Sequence, residues 1–395
     1  MLAAGAPGGY LRSMKPTTIL MYFALFVSLT SCAGAEPRPR GDRDVGTYRS
    51  REEEFRLVQL VSDLDHPWAL AFVSGGDMLI TERSGTLWLF DGETLTRVSG
   101  IPSVAQVGQG GLLDVVLHPD FAANDLVYLS YTAAYDGGYG TVVMRARLSG
   151  AALVDAEEVF RTDLAGSGGF HFGSRLAFDE EGYLYVSLGE RHNRPRAQDL
   201  SDQAGSILRL DDDGSVPDDN PFVGVPGAAP EIFSYGHRNP QGLALNPFTG
   251  EIWEIEHGPQ GGDELNIIHA GSDYGWPVIT YGVEYGSGAP IGEGTSKPGV
   301  EEPVTYWVPT SIAPSGMTFY TGGSFPGWRG DLFIGALAGQ HLRRLEIDGE
   351  RVTAQELLLQ GVVGRVRDVR QGPDGDLYIL TDEANGGLYR LEPVE

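Results

Sequence analysis

The sequence predicts an all-β protein, a six-bladed β-propeller of four-stranded antiparallel blades. Three observations predict it. A unit made of a short apolar strand, a turn rich in Asp, Gly, Pro or Asn, and a second strand of aromatic and β-branched residues recurs six times. No second linker interrupts the series. Helical periodicity of useful length is scarce outside the N-terminal apolar run. A sandwich or a pair of stacked barrels would account for the strands but not for the sixfold unit.

In chain order, the first unit is Trp68 to Phe72 with Met78 to Glu82, and Thr86 to Phe90 follows as a third strand. The second is Leu113 to Leu117 with Val127 to Tyr131, then Val142 to Leu148. The third is Arg175 to Phe178 with Leu184 to Leu188, then Ser206 to Leu210. Gly242 to Leu245 with Ile252 to Ile255 forms the fourth. Met317 to Tyr320 with Leu332 to Gly335 and then His341 to Ile347 forms the fifth. The sixth is Val366 to Arg370 with Leu377 to Thr381, then Gly387 to Leu391. Inner strands of such a ring converge on one axis, so the loops at their ends gather side chains from distant positions over a common pocket.

The N-terminal stretch belongs to targeting. Lys15 precedes an apolar run from Ile19 to Leu29, and Leu29-Thr30-Ser31-Cys32 follows. The run has the length of a signal-peptide core. The tetrapeptide resembles the bacterial lipobox, so residues 1–32 are expected to be a lipoprotein signal ending at an acylated Cys32, with Met1 or Met14 as the true start. The alternative is a simple cleaved signal with a chance cysteine. Cys32 is the only cysteine, which excludes a disulfide within the chain and leaves no cysteine cluster for zinc or redox chemistry. Residues 33–51 read as a flexible tether and 52–395 as the propeller. This arrangement places the domain in the cell envelope, on the periplasmic side, held to the membrane by lipid alone. Ala33 after the cysteine resembles the outer-membrane sorting pattern.

The net charge is −26, and two units more negative without the first 32 residues, which carry Arg12 and Lys15 but no acid. That balance argues against a nucleic-acid partner.

The stretch from Tyr235 to Glu264 concentrates the chemistry. Tyr-Gly-His-Arg-Asn-Pro-Gln-Gly opens it and Glu-His-Gly-Pro-Gln-Gly-Gly-Asp-Glu closes it, two polar loops bracketing two short strands. Arg238 and Asn239 offer an anion clamp fixed ahead of Pro240. Gly258 and Pro259 offer backbone carbonyls, with Asp263 and Glu264 close behind, the oxygen donors a hard cation takes. Two satisfied surface loops would read the same way. Elsewhere Gly108-Gln109-Gly110-Gly111 precedes the second unit and Phe170-His171-Phe172-Gly173-Ser174-Arg175 enters the third. His171 is a candidate base or a structural histidine. Arg365 and Arg367 lie two apart on a strand and so share a face, where they bind an anion or pair with Asp368 or Glu383.

These motifs together resemble those of the bacterial soluble aldose sugar dehydrogenases, relatives of the soluble quinoprotein glucose dehydrogenase. The resemblance covers nearly all of residues 55–392, and Pro217-Asp-Asp-Asn-Pro-Phe and Asp273-Tyr-Gly-Trp-Pro add to it. It implies a six-bladed propeller that uses pyrroloquinoline quinone (PQQ) and calcium to oxidise aldoses at the anomeric carbon to the lactone. His171 matches the base that takes the anomeric hydroxyl proton while hydride passes to the quinone. Gln109, Arg238, Asn239, Tyr285, Ala338, Arg365 and Arg367 match positions near the cofactor. Gly258 and Pro259 match carbonyls that hold the catalytic calcium, and Glu264 and Tyr274 a further calcium site. An aldose substrate and an external electron acceptor are the implied partners. Ala338 departs from the lysine commonly found near the quinone. Two other readings stay open: a non-catalytic sugar- or cofactor-binding propeller, and a metal-dependent sugar lactonase.

Overall fold

The computed structural model describes residues 38–39 and 42–394. The signal, Cys32 and residues 33–37, 40 and 41 of the expected tether lie outside the described residues. Six antiparallel sheets follow one another along the chain, as the repeats require. Their inner strands are Pro67–Phe72, Leu112–Leu117, Leu176–Phe178, Pro240–Leu245, Pro314–Phe319 and Val366–Gln371. Each neighbours the next, and the sixth abuts the first, which closes a ring. We number the blades by these strands.

Each inner strand pairs with the second strand read from the sequence, and outer strands complete the blade. The third strand of blade 4, Asp263–Ile267, escaped the reading because its acids and asparagine hide the alternation. Five of the six inner strands carry a register irregularity at the end facing the pocket described below, between Pro67 and Ala69, Leu112 and Val115, Pro240 and Gly242, Pro314 and Met317, and Val366 and Asp368. Bulges of this kind re-aim side chains where a strand meets a site.

Blade 6 is completed from the other end of the chain. Glu54–Leu64 pairs with Gly386–Pro393, and Arg43–Arg49 pairs with Glu54–Leu64 as the outermost strand. This corrects the expected tether at 33–51, since its C-terminal part is folded. The physical reason is that an outer-edge strand exposes most of its side chains; only Val45 and Tyr48 pack inward, with Tyr48 against Phe55, so composition there mimics a linker.

A buried ionic plug fills the axis. The Arg175 guanidinium lies 3.4 Å from Asp114 and 3.2 Å from Asp368, and Arg370 reaches the same two carboxylates at 3.2 and 3.0 Å. Two acids and two arginines balance, and hydrogen bonds from Arg175 to the carbonyls of Gln241 and Arg367 use further donors. Arg175 also sits 3.9 Å below the Trp68 ring, so the plug forms the floor of the pocket above it.

Candidate active site

A cavity of about 260 Å³ opens above that floor, lined among others by Trp68, Arg83, Gln109, Gln241, Arg365, Arg367 and Asp382. It draws side chains from distant blades. Arg367 pairs with Asp382 at 2.5 Å and donates to Gln241 and Ser315. Arg365 is more exposed and lies 3.7 Å from the same carboxylate. Asp382, not Asp368 or Glu383, is therefore the acid these arginines share. Burial alone would raise its pKa, but Arg367 and His66 hold the carboxyl well below the usual range.

Arg83 is a cation the sequence reading missed. It stands at the end of the second strand of blade 1, and burial lowers its pKa despite attraction from Asp382. Among the described residues no carboxylate pairs with it, and its Nε has no hydrogen-bond partner. The Nε of Arg367 is likewise without a partner. Three guanidinium groups thus face one carboxylate in the pocket.

His171 stands beside the cavity on a loop built for it. Its backbone is left-handed at φ 52°, as are Gly173 and Ser174, a conformation that costs a non-glycine residue roughly 1–2 kcal/mol. The surroundings hold it there. Gln109 accepts the His171 N–H at 2.8 Å, and the Gln109 N–H bonds the Gly169 carbonyl at 2.7 Å. Gly108 makes this approach possible, since a Cβ there would sit 2.3 Å from the Gly169 oxygen. Beneath, Arg191 lies 3.4 Å from the Phe172 ring and donates to the carbonyls of Gly168 and Phe170.

The imidazole is buried, and Nδ1 lies 3.0 Å from Glu190 Oε1. Glu190 was not singled out from the sequence. Its second oxygen accepts the Asn193 N–H at 2.7 Å, so it has an acceptor for each of two donors. A carboxylate at Nδ1 places the proton there and leaves the Nε2 lone pair free. Burial lowers the His171 pKa and Glu190 opposes the shift. For Glu190, burial raises the pKa but His171 and Arg238 outweigh it, and the group stays ionised.

The paired loops of blade 4 come together as expected, because Pro240 opposes Glu256 across the strand pair. Arg238 is buried, donates to the His257 carbonyl at 2.9 Å, and lies 5.4 Å from the Trp276 ring. It lines a second cavity of about 350 Å³ with Glu190, His192, Trp276 and Tyr285. The exposed Tyr285 donates its hydroxyl to the Pro259 carbonyl at 3.0 Å. Asn239 is buried, and its amide oxygen lies 3.3 Å from both the Gly173 N–H and the Gln241 amide. Its side chain braces the His171 loop.

Asp263 shapes the Gly258-Pro259 loop from behind. Its carboxylate accepts the N–H groups of Gly258, Ile312 and Ala313 and the Ser311 hydroxyl, while burial pushes its pKa up to about 6. Glu264 points to the opposite face, where burial and the charge of Glu256 raise its pKa. Tyr274 is buried on the ring of His237. Neither side chain lines the two cavities. Ala338 is exposed beside Leu337, which lines the pocket.

A model of the glucose/sorbosone dehydrogenase family matches residues 64–390. The aldose sugar dehydrogenase YliI of Escherichia coli K12 is 48% identical over 344 residues, covering 85% of this chain and 92% of that protein. The apo-form crystal structure of the soluble aldose sugar dehydrogenase from Escherichia coli superposes with a TM-score of 0.83 at 46% identity, covering 86% of this chain and all of that one. A PQQ-bound aldose sugar dehydrogenase from Streptomyces coelicolor superposes with a TM-score of 0.70 at 30% identity, covering 89% of this chain and 98% of that one.

Proposed function

The chain belongs to the glucose/sorbosone dehydrogenase family, and from that premise we propose that it oxidises aldoses at the anomeric carbon to the lactone, with PQQ in the axial pocket and calcium at the Gly258 and Pro259 carbonyls. The observation that carries this reading is the surplus of guanidinium groups, Arg83, Arg365 and Arg367 against Asp382 alone, beside a neutral histidine held by Glu190. Arginine forks suit a planar tricarboxylate because they bind each carboxylate through two charge-assisted hydrogen bonds. A hydrolase for neutral lactones has no use for such a surplus. The donor set near Pro259 also fits calcium: its carbonyl is engaged only by the hydroxyl of an exposed tyrosine, among the described residues, and hard oxygen donors are what this ion takes.

When bound, PQQ supplies the two-electron acceptor and calcium a Lewis acid. The protein supplies the rest. His171 Nε2 takes the proton of the anomeric hydroxyl as hydride leaves the anomeric carbon, so two electrons and two protons depart in all. Glu190 stabilises the imidazolium and fixes its tautomer. Arg365, Arg367 and Arg83 hold the anionic cofactor, and Trp276 with Tyr285 borders the open side where the sugar enters. An external acceptor must collect the electrons. We place the domain on the periplasmic side under a lipid anchor at Cys32, a reading supported by the lipobox pattern alone. Radiolabelled palmitate incorporation, lost in Cys32→Ser, tests it.

The functional test is reconstitution with PQQ and calcium, following quinone absorbance as aldoses are added with a dye acceptor. Sugar-dependent bleaching that calcium chelation abolishes is expected. Quinone binding without bleaching by any aldose would overturn the catalytic reading, and absent binding would overturn the cofactor assignment.

A further inference from the structure

Blade 4 buries more negative charge than the cofactor pocket explains. Along its second strand, Ile252–Glu256, the alternation places Trp253 and Ile255 on one face and Glu254 and Glu256 on the other. Both glutamates are buried, with side chains 0% and 4% exposed. Burying one carboxylate is costly unless it is paired, and two on one face compound the cost. Among the described residues, neither forms an ion pair with a lysine or arginine, and histidine His237 is the only basic side chain in contact.

Part of the polar demand is met. Glu256 Oε2 accepts the backbone N–H groups of Arg238 and Asn239 at 2.5 and 3.1 Å, and Glu254 Oε2 accepts the Asn266 amide at 3.0 Å. The rest is not. Glu254 Oε1 and His237 Nδ1 are both buried without a hydrogen-bond partner. His237 is fixed from its other side, with Nε2 3.0 Å from the Ser234 hydroxyl and the ring stacked on Tyr274 at 4.5 Å. Its Nδ1 is therefore aimed at the glutamates. It stops 3.5 Å from Glu256 and 4.0 Å from Glu254, near enough for a shared partner and too far for good hydrogen bonds. One ligand atom from each residue lies within 4.8 Å of the others.

We propose that His237 Nδ1, Glu254 and Glu256 form a buried site for a small divalent transition-metal ion of the zinc or manganese class. A divalent charge balances the two carboxylates. One imidazole nitrogen with two carboxylates suits these ions, whereas calcium takes six to eight oxygen ligands. The site is separate from the Gly258-Pro259 carbonyls. It also has a consequence for the pocket, because Glu256 grips the metal with one oxygen and the backbone of Arg238 and Asn239 with the other. An ion there fixes the loop that carries Arg238.

The experiment compares the parent with Glu254→Gln, whose amide has the shape of a protonated carboxyl. Both proteins are dialysed against Zn2+, Mn2+ or Co2+ and then freed of loose metal. Elemental analysis gives occupancy, thermal melting gives stability, and the visible spectrum of the Co2+ form reports nitrogen and oxygen ligands. The parent is expected to retain about one ion per chain and to melt higher with it. Glu254→Gln is expected to lose occupancy at least about tenfold and to lose the metal-dependent rise. A parent that retains none of the three ions overturns the proposal. So does a Gln variant with undiminished occupancy, or one as stable as the parent in both metal-free and metal-treated samples, since a proton would then be what satisfies the cluster. Should Glu254→Gln fail to fold, the Co2+ spectrum of the parent decides: absorption from imidazole–carboxylate coordination sustains the site, and its absence removes it.

Discussion

Replacing Glu190 by glutamine tests the catalytic reading most sharply, because the change removes one charge and almost no volume. The carboxylate now serves two donors, His171 Nδ1 and the Asn193 N–H, with one oxygen each. Glutamine has a single acceptor oxygen, so one buried donor loses its partner at a cost of about 1–3 kcal/mol. The larger effect is on the imidazolium formed when the base takes its proton. Unit charges about 4 Å apart attract by about 4 kcal/mol at the effective dielectric of a protein site. Much of that is lost, and kcat/KM should fall roughly 100- to 1000-fold, at about 1.4 kcal/mol per factor of ten. The pH profile supplies a second readout. Burial already lowers the His171 pKa and Glu190 pulls it back up, so the parent loses activity in acid only below the ordinary histidine range. Without Glu190 the pKa drops further, and the acid limb of kcat/KM should move to lower pH while the plateau falls. Stopped-flow quinone reduction between pH 4 and 9 measures both. A variant within threefold of the parent, with an unmoved acid limb, refutes the dyad.

Four further outcomes are expected. His171→Ala should abolish turnover yet bind PQQ within about threefold of the parent, since the base does not retain the cofactor; fluorescence titration checks this. Arg83→Met and Arg367→Ala should each weaken PQQ binding by about 1.5–3 kcal/mol, the worth of a hydrogen bond to a charged group, and an unchanged affinity in both would defeat the anion clamp. Gly258→Ala should destabilise the fold and impair calcium-dependent activity, because a Cβ there would stand 2.2 Å from the Gly262 oxygen; calorimetry with and without calcium measures it. A chain begun at residue 52 should be less stable by about 2 kcal/mol than one begun at 36, from the loss of half-buried Val45 and Tyr48, as chemical denaturation will report.

The six inner strands and their partners were legible because each apolar run is short, bounded by turn residues and repeated. The edge strand Arg43–Arg49 was not, since a strand that packs only two side chains carries little pattern. At the site, His171, Gln109, Arg238, Arg365 and Arg367 stood out because glycine-rich loops or paired charges mark them. Arg83 and Glu190 did not, although a signal was present. The second strands of blades 1, 3, 4 and 6 each end at or near an acid, Glu82, Glu190, Glu256 and Asp382. These recurring acids receive donors from neighbouring loops: Asp65 N–H on Glu82, Asn193 N–H on Glu190, Arg238 N–H on Glu256 and the Arg367 guanidinium on Asp382. Aligning the units by strand rather than by motif would have found the position. Asn239 shows the converse, because sequence spacing gives a residue's place in a loop but not which way its amide turns.

The closure of blade 6 bears on how the chain comes to be folded at all. Arg56 hydrogen-bonds Glu392 across 336 residues of sequence, so the ring cannot shut until Glu392 has been made. At roughly 5–20 residues per second, the N-terminal strand waits about 20–70 s for its partner. Throughout that interval its backbone is an open edge and Phe55 and Leu57 lack their core. Contacts this distant form slowly. A chain with that delay built in calls for protection from aggregation until its two ends meet.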